Sequence, residues 1–144
     1  MSPRGGAVAL ALAVSLVVAA GGCGGSRAPF EARTFAEVEE ALTEQGLQIC
    51  GVEPSGARAN QAADGRAYRV AVDCTGEDDA TVVVDRFDSA AHRDAAARNL
   101  EGQVRPRAGG AVWTLGPFAV VVSGPTDDDV VNRVTDALEN AGAS

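Results

Sequence analysis

The sequence predicts one α+β domain: a two-layer sandwich with a mostly antiparallel sheet, helices on one face, and the order α-β-β-β-α-β-β-α. Three observations lead there. Five stretches are β-branched or alternate with period two. Three others repeat apolar residues at helical spacing. Neighbouring strands joined by short loops imply a mostly antiparallel sheet.

The first helix is expected from Thr34 to Gln45, because Thr34 and Glu37 have capping-box spacing and Phe35, Val38 and Leu42 share a face. Gly46 closes it, and Leu47 to Cys50 reads as a short strand. Residues 51–65 are rich in Gly, Pro, Ser, Asn and Asp and read as a long loop. Arg66 to Cys74 alternates, with Tyr68, Val70, Val72 and Cys74 on one side and Arg69, Ala71 and Asp73 on the other. After a polar hairpin loop over 75–79, Ala80 to Phe87 returns as a β-branched strand. An alanine-rich helix follows from Ser89 to Leu100, with Asp88 placed as its cap. Ala111 to Leu115 and Phe118 to Ser123 are two further strands, and Gly116-Pro117 between them is either a tight turn or a kink. The last helix has Thr126 as cap and Asp127, Asp128 and Asp129 at the positive end of its dipole. Val130, Val131, Val134, Leu138 and Ala141 form its apolar face.

The chain divides into three parts: 1–22, 23–33 and the domain over 34–144. Arg4 is the sole charge before Arg27, and the run Ala7 to Ala20 is apolar or small, which is the layout of a secretory signal. Cys23 follows Gly21 and Gly22 directly. That arrangement resembles the lipobox of bacterial lipoproteins, in which the signal is cut before a cysteine that becomes diacylated. The resemblance covers roughly the first 27 residues, and it departs from the pattern at Ala20, where Leu is usual. Cleavage after Ala20 is the rival and would free an unlipidated Cys23. The resemblance implies palmitate-type acylation of Cys23 and a flexible tether at Gly24, Gly25, Ser26 and Pro29. It places the domain on the outer, extracytoplasmic face of the cell membrane.

The remaining cysteines, Cys50 and Cys74, are expected to form a structural disulfide in that oxidising compartment. Neither the two-residue spacing of redox pairs nor a four-ligand zinc set is present.

Composition narrows the function. The 144 residues carry a formal charge of −8, and all 12 basic residues are arginine, which reads as the codon bias of a high-GC bacterium. The acidic excess speaks against nucleic acid as a partner, since neutralising phosphates needs a basic face. No cofactor motif is present, neither a dinucleotide fingerprint nor a phosphate-binding loop.

No recognisable catalytic constellation emerges. His92-Arg93-Asp94 resembles the protein-kinase catalytic triplet, but no glycine-rich loop or nucleotide lysine accompanies it. A Ser-His-Asp site would need His92 beside Ser55, Ser89 or Ser123. The acidic groups 77–79 and 127–129 lack calcium-loop spacing and read as a solvated turn and a helix start, so no metal site is expected. Arg58, Arg66 and Arg69, with Arg105 and Arg107, are the one basic concentration and the candidates for contact with an acidic ligand or partner. Trp113 on a strand is either core or an interface anchor. The expectation is a membrane-held, non-catalytic binding or accessory module of the cell envelope, with an envelope protein as its partner. The alternatives are an envelope hydrolase built on paired carboxylates, or a structural interaction protein.

Overall fold

A computed structural model describes residues 32–55, 61–75, 78–104, 110–124 and 129–144. Its elements are α1 (Phe35–Glu44), β1 (Gln48–Pro54), β2 (Asp64–Ala71), β3 (Ala80–Arg86), α2 (Ala90–Val104), β4 (Gly110–Leu115), β5 (Phe118–Ser123) and α3 (Asp129–Asn140). The expected order and the α+β class are those observed. The five strands form one sheet in the order β1-β2-β3-β5-β4, and every neighbouring pair is antiparallel.

Alternation along the strands sorts the side chains onto two faces. On the first, Tyr68, Val70, Val82, Val84, Phe118, Val120 and Val122 meet Val38 and Leu42 of α1 and Val130, Val134 and Leu138 of α3 in the main core. On the second, Ala119 and the half-buried Val112 meet Ala97 of α2, with Phe87 completing a much smaller cluster. The expectation that helices share one face therefore holds for α1 and α3 alone, and α2 adds a partial third layer behind β4 and β5. The physical reason is that β5 and β4 present Ala119 and Val112 on that second side, and an uncovered face would leave them in water.

Local chemistry explains the boundaries. Thr34 caps α1 and Glu37 answers it in a complete capping box. At the other end Gly46, at φ +74°, donates to Thr43 O while Leu47 donates to Leu42 O, a Schellman closure that suits glycine. Ser89, not Asp88, caps α2: its Oγ accepts from the His92 N–H at 3.2 Å, and the helix runs on to Val104. Thr126 and Asp127 and Asp128 lie outside the described residues. Gly116-Pro117 is a two-residue hairpin turn, because Leu115 pairs with Phe118 and Gly116 has φ +53°.

Residues 51–65 are not all loop. Gly51 to Pro54 pair with β2 as the end of an edge strand. Since Ser55 N–H bonds Gly65 O, Pro54 falls where its missing N–H faces outward, the one place an edge tolerates proline. The β1 register shifts between Ile49 and Gly51, so Cys50 is the bulged residue. Its sulfur is bonded to Cys74 beyond the end of β2, with a Cα–Cα distance of 5.3 Å. The opposite edge is also occupied: Thr114 on β4 exchanges two backbone hydrogen bonds with Ser144, at 2.8 and 2.9 Å.

Candidate functional site

The alternation of β2 decides the fate of the arginine cluster. Arg66 shares the first face with Tyr68, and Arg69 points to the second, so the strand separates them. Arg58, Arg105 and Arg107 lie outside the described residues, as does Cys23.

On the first face, Arg66 is already engaged. Its Nη1 is 2.8 Å from Glu39 Oε1, and its guanidinium lies 4.4 Å from the centroid of the Phe35 ring. The Tyr68 hydroxyl donates to the same Glu39 oxygen at 2.9 Å. Phe35 in turn packs at 5.1 Å against Phe118. Burial, reinforced by the adjoining Glu39 carboxylate, pushes the Tyr68 phenol well above its ordinary range. The Tyr68 hydroxyl, ahead of Glu39, raises the Arg66 guanidinium further. This cluster fastens α1 to β2 and engages one end of the Arg66 guanidinium within the fold.

On the second face the situation differs. Arg69 has 59% of its side chain open. It reaches Asp79 at only 3.7 Å and Cys50 O at 3.4 Å. It borders a shallow trough of about 390 Å³ lined by Gly51, Glu53, Ala67, Tyr68, Arg69 and Thr81. Gly51 and Ala67 make the floor low, because neither side chain rises from the sheet. Of the two described candidate arginines, Arg69 has the more open side chain. An exposed pair at 3.7 Å holds it weakly, by less than about 1 kcal/mol.

Trp113 is packed against the main core from β4, three strands away from β2 in the sheet order. Its Nε1 is buried without a hydrogen-bond partner. Its side chain packs on that core, and the candidates among the described residues, Arg66, Arg69 and Trp113, do not converge.

The candidate hydroxyl and imidazole groups do not converge either. Ser55 Oγ donates to Asp85, Ser89 caps α2, and Ser123 ends β5 exposed. His92 is exposed on the first turn of α2. Of the acidic groups, Asp79 faces Arg69 and Asp129 accepts from Arg133 Nε at 2.7 Å, while Glu77, Asp127 and Asp128 lie outside the described residues. Among the described residues no three His, Cys, Asp or Glu side chains gather as a metal site, and no helix is long and apolar enough to cross a membrane.

Two polar positions escaped the sequence reading. Glu39 ties Arg66 to Tyr68, and its signal was faint because Glu37, Glu40 and Glu44 stand beside it on the same helix. Asp85 is 2% exposed on the second face of β3 and accepts the Ser55 hydroxyl. A carboxylate inside the run Val82 to Phe87 was a visible sign of a buried polar anchor. Gly65 sits against this pair: a Cβ there would collide with both Ser55 Oγ and Asp85 Oδ1.

No protein-family model matches the chain, and no curated protein or solved structure is significantly similar to it.

Proposed function

We propose that the chain is a lipid-anchored extracytoplasmic module, held on the outer face of the cell membrane through a diacylated Cys23, whose domain is a non-catalytic binding or accessory part of the envelope. The observation that carries this reading is the bond between Cys50 and Cys74. It accounts for two of the three cysteines and fits an oxidising compartment. Cys23 is then the odd cysteine, placed directly after Gly21 and Gly22 at the close of an apolar run.

The start of the fold sets the length of the tether. By Ala32 the chain is part of the fold, since that residue is fully buried and its N–H bonds Ala141 O. The segment 23–31 reaches at most ~30 Å when extended, so an anchored domain works close to the lipid surface. The surface offered to an envelope partner is the second face over β1 and β2, where Arg69 borders the trough and suits a carboxylate or another anion.

Fractionation of the producing cell tests the anchor. Wild-type protein is expected in the membrane fraction, and Cys23→Ala in the medium or soluble fraction. A variant that stays with the membrane at the wild-type level overturns the proposal.

A further inference from the structure

The three helices are held to the sheet by very different amounts of apolar surface. α1 buries Val38, Ala41 and Leu42, and α3 buries Val130, Val134, Ala137 and Leu138. α2 is the longest at 15 residues and fully buries Ala97 alone. Alanines let it lie close upon β4 and β5, but a methyl group removes far less apolar area from water than a Val or Leu side chain. Around Ala97, among the described residues, Ala96, Leu100, Val112 and Ala62 add half-buried contact to Phe87 and Ala119.

One polar contact compensates. Arg93, with 19% of its side chain exposed, donates from Nη1 to the carbonyl of Gly116 in the β4–β5 turn. Asp94 Oδ1 accepts from the same guanidinium at 2.7 Å and fixes its orientation. Meanwhile β3 and β5 keep the main core intact from their other side, so loss of α2 removes none of the contacts that hold α1 and α3.

We propose that α2 is a lid on the second face of the sheet, opening as a unit while α1, α3 and the strands stay folded, with the Arg93–Gly116 contact as its latch. Opening uncovers Phe87, Val112 and Ala119, continuous with the face that carries the trough. The sequence fits a helix of this kind. Its alanines favour helix without deep packing, yet a detached helix of this length is marginal in water and exposes its amides. The inference stands apart from membrane anchoring and survives or fails without it.

Native-state hydrogen exchange on the full chain reads the lid directly, because local openings exchange amides without global unfolding. Amides of Ala90–Val104 are expected to exchange at least about tenfold faster than those of β3, β5 and α3. Arg93→Ala is expected to speed α2 by about a further tenfold while leaving β3 and α3 unchanged, since a hydrogen bond from a charged donor is among the stronger kind. Wild-type α2 amides that exchange together with the slowest sheet amides overturn the proposal. So does an Arg93→Ala effect spread equally over all elements.

Discussion

The two faces of the sheet are built from the same strands and held by different means. The first face carries a continuous core from α1 through five strands to α3. The second carries Phe87 and Ala119 packed against Ala97 of α2, one arginine contact, and an open stretch over β1 and β2. Stability therefore resides on one side and accessibility on the other. A small domain gains from this division, because a surface free to meet a partner need not be taken from the core.

Mutations can break the comparison. Leu138→Ala, which hollows the first face, is expected to cost up to about 5 kcal/mol in urea unfolding. Ala97→Gly on the second face is expected to cost about 1 kcal/mol, mostly helix propensity. Equal losses would erase the asymmetry.

Replacing Cys50 and Cys74 together by Ser is expected to cost about 3–4 kcal/mol, since the bond closes a 25-residue loop in the unfolded chain. Because that effect acts on the unfolded state, it should lower both faces alike, and thermal unfolding of the variant should remain a single transition.

Tyr68 sharpens the picture of the first face. Its folded-state pKa is raised, so the stabilisation is fully present below the ordinary tyrosine value near 10 and is lost as pH climbs beyond it. The chain has one tyrosine and no lysine, which leaves alkaline titration unusually clean. Tyrosinate absorbance is expected to stay flat past pH 10 and rise with unfolding. Tyr68→Phe is expected to cost about 1 kcal/mol at neutral pH and to remove this alkaline loss. A phenol that ionises near 10 in the folded protein contradicts it.

The smallest effect lies at the start of α1. Backbone N–H groups of Arg33 and Thr34 and the Thr34 hydroxyl hold the Glu37 carboxyl below its usual range. The folded value being lower, its contribution is present above the unfolded value and fades as pH falls through the folded one. Glu37→Gln should flatten the acid side of the stability profile slightly, as urea midpoints at pH 7 and pH 3 will show.

Much of this organisation was written legibly in the residues. Thr34, Glu37 and Gly46 mark α1 at both ends, and the alternation from Tyr68 to Val70 marks β2. What stayed illegible had physical causes. Gly51 and Pro54 carry turn chemistry, yet an edge strand accepts them because one of its sides makes no ladder bonds. Asp88 and Ser89 are both capping types, and α2 is so weakly amphipathic that no apolar stripe chooses between them. The position of α2 was readable in principle. Val82 to Val84 and Phe118 to Val122 are unbroken apolar runs, the pattern of strands covered on both sides. For the candidate site, sequence proximity misled: Arg66 and Arg69 are three apart on a strand, which places them on opposite faces.

The most direct test of the central claim is the intact mass of the protein isolated from its native membrane. The expected mass is that of a chain that begins at Cys23, carries diacylglyceryl and acyl mass on that residue, and lacks the two hydrogens removed by the Cys50–Cys74 bond. A lipid-free chain beginning at Gly21 would contradict it, and the domain would then be a freely secreted one with a spare thiol at Cys23.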